Sequence, residues 1–249
     1  QLKRAMEAIS NAKKPLLYIG GGAILSNCGY EIRDLAKKLN IPAVETLMAR
    51  GVMGDENPLF FGMLGMHGEY AANMAAHETD LLISLGARFD DRVTGRLDEF
   101  ASKAKVIHID IDPTSIAKLV VADYPIVGDL KLTVEAMIED SENYEINDFS
   151  NWVELLKDYR EKEPLRYIDT DDLIKPQWPI QRVGKILGDN AIISTDVGQH
   201  QMWTAQFFPF SHPRQWITSG GLGTMGFGLP AALGAARAFK GTNRVVVNF

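Results

Sequence analysis

The chain has 249 residues, of which 46% are hydrophobic and 23% charged, a composition typical of a folded globular protein rather than a disordered or fibrous one. With a net charge of −6 and no cluster of Lys or Arg, the sequence argues against nucleic-acid binding, and its apolar runs fall far short of the ~20 residues that span a membrane. Cys28 is the single cysteine, which excludes an intrachain disulfide. Because the N-terminus also lacks the layout of a secretion signal, we expect a cytoplasmic protein.

The first part of the chain alternates helical patterns with short apolar runs. Hydrophobic residues recur at helical spacing in residues 2–9, 31–39, 69–78 and 130–137, which predicts helices there. The apolar runs at residues 15–19, 41–44, 81–85, 106–111 and 125–127 predict strands. Short apolar strands between helices are typical of a parallel sheet with both faces covered. Ligands bind such sheets at the carboxyl ends of the strands, so the residues after each strand are the candidates for function.

The character of the chain changes after residue 140. Residues 141–172 contain ten acidic and four basic side chains, and apart from a helical pattern at Trp152, Leu155, Leu156 and Tyr159 they indicate a solvated connector. A second α/β unit follows, with helices predicted at 180–187 and 229–239 and strands at 191–195, 215–218 and 245–249. We therefore predict an α/β protein with a doubly wound parallel sheet in residues 1–140, an acidic linker in 141–178 and the start of a second α/β domain in 179–249.

The ends of the sequence suggest that it belongs to a longer protein. The first residue is Gln1, which enters a predicted helix directly, and no crossover follows the strand at 245–249. We expect the chain to be an internal piece of a larger polypeptide.

Glycines and arginines follow the predicted strands. Gly20, Gly21 and Gly22 come directly after the first strand, where free backbone N–H groups would suit an anion such as a pyrophosphate; a flexible turn is an equal alternative. Arg88 and Arg92 follow the strand at 81–85. Guanidinium groups suit phosphates and can stack on flat rings, although a salt-bridged surface loop explains this pair equally well.

Other loops carry single polar groups. His67 lies between glycines, which lets the chain pass close to a flat group, and the alternative is a hydrogen-bonded structural histidine. The acids after two strands, Glu45 and those of residues 108–112, can accept a ribose hydroxyl or cap a helix. Residues 196–203, Asp-Val-Gly-Gln-His-Gln-Met-Trp, form the densest polar cluster of the second unit.

The glycines at residues 220–228 favour a backbone that approaches a bulky ligand over a packing turn alone. They match Gly-x-Gly-x-x-Gly, but no Asp or Glu follows Asp196, so the acid that a dinucleotide fold needs ~20 residues later is missing. An NAD site is therefore not supported. The sequence also lacks His-Glu-x-x-His, a cysteine pair and Gly-x-Ser-x-Gly, so neither a metal site nor a serine hydrolase is predicted.

Taken together, the loops resemble one family. Gly-Gly-Gly at 20–22, Leu-Gly-Met-His-Gly at 64–68, Gly-Ala-Arg-Phe-Asp-Asp-Arg at 86–92, Val-Gly-Gln-His-Gln-Met-Trp at 197–203 and Gly-Thr-Met-Gly-Phe-Gly at 223–228 occur in this order. The chain resembles the catalytic large subunit of acetolactate synthase, a thiamine-diphosphate enzyme, from end to end. That resemblance implies a three-domain protein, of which this chain would carry the middle domain and the first part of the third.

The resemblance also implies the site residues. An FAD site in the middle domain would be formed by Gly20, Gly21, Gly22, Thr46, Leu47, Met48, Leu64, Gly65, Met66, His67, Gly68, Gly86, Ala87, Arg88, Asp90, Arg92, Val93, Asp110, Gly128 and Asp129. In the last domain, Val197, Gly198 and Gly223 would bind thiamine diphosphate, and Gln199, His200 and Met225 would act in catalysis, with Met225 beneath the cofactor. The Mg²⁺ ligands are expected just after Phe249, and the family's activating glutamate belongs to the first domain, so we expect this chain alone to be inactive.

The implied reaction is the decarboxylation of pyruvate and the transfer of its remaining two carbons to a second 2-oxoacid, pyruvate or 2-oxobutyrate. The products would be 2-acetolactate or 2-aceto-2-hydroxybutyrate, in branched-chain amino-acid biosynthesis. The family also implies a homodimer or larger oligomer and a small regulatory subunit. Two alternatives stay open, namely another thiamine-diphosphate enzyme of the glyoxylate carboligase or pyruvate oxidase type, and a flavin-nucleotide-binding module without catalysis.

Overall fold

The computed structural model describes residues 1–170 and 172–249, and in that part of the chain two parallel sheets are surrounded by helices. The strands are β1 (Pro15–Ile19), β2 (Ala43–Glu45), β3 (Phe60–Met63), β4 (Leu81–Leu85), β5 (Lys105–Asp110), β6 (Tyr124–Val127), β7 (Ala191–Ser194), β8 (Trp216–Ile217) and β9 (Val245–Asn248). The helices are α1 (Leu2–Asn11), α2 (Gly21–Leu25), α3 (Gly29–Leu39), α4 (Tyr70–Glu78), α5 (Asp91–Thr94), α6 (Leu130–Asp140), α7 (Ser150–Lys162), α8 (Gln177–Leu187), α9 (Gln199–Phe207) and α10 (Gly228–Ala238). The predicted α/β class with a doubly wound parallel sheet and a second α/β unit is confirmed.

The first sheet has the strand order β3-β2-β1-β4-β5-β6, and its paired strands are parallel. Every residue of β1 and β4 is buried, as expected for apolar strands with helices on both faces. The direction of the strand order reverses between β1 and β4. This reversal brings Gly20 and Gly86, the residues that follow the two strands, to the crevice where such sheets bind ligands.

The helices form two groups that cover the sheet. Helix α6 packs against both α1 and α3, and α4 packs against α7. Buried Ala5, Met6 and Ile9 follow the predicted spacing on α1. The buried residues of α4 are all alanines, so this helix can approach its neighbours closely.

The acidic segment after residue 140 is more than a solvated connector. Its helix α7 buries Trp152, Val153 and Leu156 in the same core as the first sheet, and the indole N–H of Trp152 donates to Pro15 O at 2.9 Å. Farther along α7, the Arg160 guanidinium donates to a carbonyl of β3. The helical pattern predicted from Trp152 to Tyr159 lies on α7, whose apolar face packs on the first unit although the segment is acidic.

The second sheet has the order β8-β7-β9, and its pairs are parallel. Its core contains Ile180, Ile193, Phe208 and Trp216, and it also includes Met63 of the first sheet's β3. The two units therefore share buried apolar surface. One further helix in this unit, α9, was not predicted, because its sequence Gln-His-Gln-Met-Trp-Thr-Ala-Gln-Phe has no clear apolar stripe.

A buried arginine joins the two units. Arg50, which is 2% exposed, donates through Nε to Ala205 O of α9 at 2.9 Å, through Nη1 to Glu45 at 3.1 Å and through Nη2 to Asp55 at 2.7 Å. Its guanidinium also lies 5.2 Å from the ring centroid of Phe210. Each nitrogen of the guanidinium thus has an acceptor, which is the condition under which a buried charge is tolerated.

The carboxylate of Glu45 completes this cluster. It accepts hydrogen bonds from the backbone N–H of Gly51 at 3.1 Å and of Met53 at 2.5 Å, in addition to that from Arg50. Burial raises the pKa of Glu45, and the guanidinium and the two N–H groups oppose that rise. The position of Glu45 at the end of β2 had suggested a ribose contact or a helix cap, but its oxygens are buried and bind Arg50 and the N–H groups of Gly51 and Met53 instead.

His108 is a second buried ionisable group. Its Nε2 lies 3.1 Å from Ala87 O, and its Nδ1 accepts from Ala117 N at 3.4 Å, so one nitrogen donates and the other accepts only if the ring is neutral. Burial lowers the pKa of His108, although Asp110 opposes the effect. The neutral ring thereby holds the residues after β4 against the loop after β5.

Replacing Arg50 with methionine should remove ~3–5 kcal/mol of unfolding free energy, because Glu45 would be left buried without its cation. Urea denaturation measures this loss. The matched control is Lys157→Met, which breaks the exposed pair of Lys157 with Glu154 and should change stability by less than ~1 kcal/mol. Equal effects of the two substitutions would show that the Arg50 cluster does not stabilise the fold.

The contribution of His108 to the unfolding free energy should fall as the pH decreases below about 6.5, because the unfolded chain then protonates His108 and the folded chain does not. The slope for one proton is at most ~1.4 kcal/mol per pH unit. Urea titrations between pH 7 and 5 should show that this contribution to the slope is lost in His108→Gln, relative to the unsubstituted chain. An unchanged slope in His108→Gln would contradict this assignment.

Candidate functional site

The predicted flavin-binding residues lie at one edge of the first sheet. They follow successive parallel strands, with residues 20–22 after β1, 46–48 after β2, 64–68 after β3, 86–93 after β4, Asp110 at the end of β5 and residues 128–129 after β6. Parallel strands end on the same side, so these loops form a continuous row.

The loops after β1 and β4 touch backbone to backbone. The N–H of Gly20 donates to Leu85 O and that of Gly22 to Gly86 O, both at 3.0 Å. A Cβ added to Gly22 would lie 2.7 Å from the Cα of Gly86, and one added to Gly20 would collide with Gly86 O. The expectation of several free N–H groups is therefore corrected. The N–H groups of Gly20 and Gly22 are used in hydrogen bonds to the end of β4 and the residue after it. Gly21, in the first turn of α2, keeps an N–H that no carbonyl of its own helix accepts.

The segment after β4 turns its charges outward. Phe89, with φ +57°, is buried against the rings of Tyr18 and His108, and this places Arg88 and Asp90 on the outside as an ion pair. Although partial burial raises the pKa of Asp90, the N–H of Arg92 and the Arg88 guanidinium bring it below its usual value. Arg88 remains 64% exposed beside the strand-order reversal. The Arg88 side chain can therefore form the surface ion pair with Asp90 and still be open to contact with a ligand.

The loop after β3 is held rigidly and presents two exposed side chains. Gly65, with φ +119°, donates to Asn73 Oδ1 at 3.0 Å and accepts from Asn73 Nδ2 at 3.1 Å. The N–H of Met66 donates to Arg92 O at 2.9 Å, which ties this loop to the one after β4. Met66 and His67 are exposed, so His67 is not a buried structural histidine.

The loop after β2 has an unsatisfied hydroxyl and a bridging methionine. Thr46 Oγ1 is buried and has no hydrogen-bond partner among the residues that the structure describes, which is a position that a polar ligand group would satisfy. Met48 packs between the two units. A Cβ added to Gly21 would lie 3.1 Å from Met48 Cβ, and one added to Gly220 would collide with Met48 Sδ.

At the far end of the row, the acids bind backbone. Asp110 Oδ1 accepts from Asp112 N at 2.9 Å, and Asp129 caps α6 by accepting from Leu132 N at 3.0 Å. The N–H of Gly128 donates to Asp110 O at 3.0 Å. Capping therefore explains Asp129 without a ligand, whereas Asp110 stays half-exposed at the sheet edge.

The second site is built where β7 ends. Asp196 accepts from Val197 N and from Gly226 N, both at 2.8 Å, and so joins the loop after β7 to the glycine loop before α10. The N–H groups of Val197, Gly226 and Gly228 lower the pKa of this carboxyl. A Cβ on Gly228 would lie 2.5 Å from Asp196 N, so only glycine lets α10 start so close to β7.

Helix α9 begins at this loop. Gly198, with φ +155°, precedes it. The N–H of Gln201 donates to Gly198 O at 3.1 Å, whereas the N–H groups of Gln199 and His200, the first two residues of the helix, have no carbonyl within the helix to accept them, as an anion site requires. Gln199 is exposed and His200 half-buried, with the His200 ring close to Gly198. Of the predicted residues, Val197, Gly198, Gln199, His200 and Gly223 come together here, whereas Met225 is 79% exposed on the glycine loop.

Residues that the sequence analysis did not select also build this site. Asp196 was part of the polar cluster and could have been found from its place directly after a strand. Gln201 belongs to the same polar cluster, whereas Thr195 and Thr218 carry no sequence signal, because their roles depend on contacts between elements far apart in the chain. Within residues 1–170 and 172–249, no group of three His, Cys, Asp or Glu could hold a metal ion. Nor does any helix in that part of the chain have the length and apolar character to cross a membrane.

Comparison with known families and proteins identifies the chain's relatives. Residues 2–137 match the thiamine pyrophosphate enzyme central domain, and residues 196–249 match the thiamine pyrophosphate enzyme C-terminal TPP binding domain. The chain is 45% identical over 242 residues to the acetolactate synthase isozyme 3 large subunit of Escherichia coli (strain K12), covering 96% of this chain and 42% of that protein. It is 48% identical over 239 residues to acetolactate synthase of Mycobacterium leprae (strain TN), covering 94% of this chain and 38% of that protein.

These matches cover both units of the structure. The chain spans about two fifths of the length of the curated relatives it matches. The resemblance inferred from the loops is confirmed: the chain belongs to the thiamine pyrophosphate enzymes, with a central domain and TPP-binding-domain sequence similar to those of acetolactate synthase large subunits.

Proposed function

We propose that the chain is part of the catalytic large subunit of an acetolactate synthase that binds FAD at the edge of the first sheet and thiamine diphosphate, with Mg²⁺, at the edge of the second. The observation that carries this proposal is the contact between the two rows of loops, where Met48 touches Gly21 on one side and Gly220 on the other. Two rows of strand-end loops at adjoining sheet edges fit an enzyme with two cofactors better than a module with one.

The fit of a flavin dinucleotide rests on three features of the first site. Gly20, Gly22 and Gly86 keep the backbone free of side chains at the strand-order reversal, which allows close approach to a bulky ligand. Thr46 Oγ1 lacks a partner among the residues described. Arg88 supplies an exposed guanidinium for a phosphate or a flat ring. The reaction needs no net oxidation, so we assign FAD a structural role.

The fit of thiamine diphosphate rests on the start of α9. In the proposed role, the free N–H groups after Gly198 would receive the diphosphate, while Asp196 fixes the glycine loop beside them. When bound, this cofactor serves as the electron sink for decarboxylation of pyruvate and for joining its two-carbon remainder to a second 2-oxoacid. The residues of this chain would bind and orient the cofactor, with Gln199, His200 and Met225 nearest the reaction.

The remaining proposals follow from the similarity to acetolactate synthase large subunits. They are a cytoplasmic enzyme of branched-chain amino-acid biosynthesis, with pyruvate and 2-oxobutyrate as substrates, that assembles as a homodimer or larger oligomer with a small regulatory subunit. Its Mg²⁺ ligands would lie outside these 249 residues. Assay products separate this function from the two alternatives that the sequence left open.

The full-length protein, supplied with thiamine diphosphate, Mg²⁺ and FAD, should convert pyruvate to 2-acetolactate and, with 2-oxobutyrate added, give 2-aceto-2-hydroxybutyrate. The 249-residue chain under the same conditions should give no product above a blank, because residues of other domains are needed. Mass spectrometry identifies the products. Acetate as product, or tartronate semialdehyde from glyoxylate, would replace this proposal with one of the other enzymes, and flavin binding without turnover would favour the non-catalytic module.

Replacing Arg88 with alanine should weaken FAD binding by the full-length protein ~10-fold, which corresponds to the loss of one charge-assisted contact. Quenching of flavin fluorescence measures the dissociation constant. Arg96→Ala is the matched control, because Arg96 also pairs with an aspartate two residues later and is 69% exposed. Equal FAD affinities for the two variants would remove Arg88 from the proposed site.

A further inference from the structure

A buried chain of polar side chains lies beneath the second site. Gln201 Nε2 donates to Thr218 Oγ1 at 2.7 Å, and Thr218 Oγ1 lies 2.8 Å from Thr195 Oγ1. Thr195 is fully buried, and Gln201 and Thr218 are each 7% exposed. No member carries a charge, and each has a hydrogen-bond partner within the group.

The network joins three segments that reach the site separately. Thr195 follows β7 and directly precedes Asp196, while Thr218 follows β8 and precedes the glycine loop. Gln201 belongs to the first turn of α9, and its own N–H donates to Gly198 O at 3.1 Å. One hydrogen-bonded line therefore fixes the helix start relative to both loops that carry the predicted cofactor residues.

The other end of α9 is held by different partners. Arg50 binds Ala205 O, and Gln206 Nε2 donates to His67 O at 2.9 Å, so the C-terminal end of the helix follows the first unit. Among the described residues, the hydrogen bond from the Gln201 side chain to Thr218 is the only side-chain hydrogen bond that joins the first turn of α9 to the strand-end residues of its own sheet. Without it, the helix start could tilt about its fixed far end.

We propose that Gln201, acting through Thr218 and Thr195, is a positioning residue that sets the first turn of α9 for the diphosphate of thiamine diphosphate. The inference rests on the proposed function of this site. Its physical basis is that a buried amide has few other donors or acceptors to choose from, so the hydrogen bond from Gln201 to Thr218 has few competitors. A fixed helix start keeps its N–H groups aimed at one anion position, which reduces the ordering needed when the cofactor binds.

The test substitutes methionine for Gln201 in the full-length protein, which keeps the length of the side chain and removes the hydrogen bond. The dissociation constant for thiamine diphosphate, from tryptophan fluorescence titration with Mg²⁺ present, should rise ~10-fold. FAD affinity, from flavin fluorescence, should stay within twofold, and kcat at saturating thiamine diphosphate should change less than KM for that cofactor. Thr218→Val should reproduce the effect, and Thr218→Ser, which keeps the hydroxyl, should restore binding.

Gln181→Met is the matched control, because Gln181 is a half-buried helical glutamine that makes one side-chain hydrogen bond, accepting from the hydroxyl of Tyr167 at 3.2 Å. It should leave both cofactor affinities unchanged. Unaltered thiamine diphosphate affinity in Gln201→Met, or a parallel loss of FAD and thiamine diphosphate affinity, would overturn the positioning role. If the unsubstituted protein does not bind thiamine diphosphate, the proposed function fails and this inference fails with it.

Discussion

The buried guanidinium of Arg50 is the interaction on which the arrangement of the two sheets depends. It reaches Glu45 and Asp55 within the first unit and Ala205 O in the second. Fully desolvated charges are tolerated only when each donor meets an acceptor, so the three partners have to keep their positions together. This requirement fixes the segment after β2 and the C-terminal end of α9 as one rigid body.

Both candidate sites lie next to this body and depend on its rigidity. The loop after β2, with Thr46 and Met48, begins directly after Glu45, and α9 leads from its anchored end back to Gly198. Neither site offers a deep cavity lined by side chains. Each presents backbone at the end of a strand, with glycine where a Cβ would collide with the neighbouring loop. Sites of this kind are positioned by the sheet beneath them.

Much of the fold could be predicted from the sequence because continuous apolar runs such as those of β1 and β4 have one good solution, burial between helices. Strand β3 was missed because it is only four residues long and contains Gly62, and α9 because polar residues of its inner face bind other polar groups. The row of loops could be predicted from the parallel strands. The hydrogen bonds of Gly20 to Leu85 and of Gly22 to Gly86 could not, because they depend on distances between residues far apart in the chain.

The stack of Gly21, Met48 and Gly220 has a consequence for how this sequence can change over evolutionary time. Met48 fills the space left by two absent side chains, one on each unit. A larger residue at either glycine would press on Met48, which would then have to move its side chain or be replaced by a smaller residue. The three positions should therefore drift as a set, and a chimera that takes its first unit from one relative and its second from another should assemble best when all three come from a single parent.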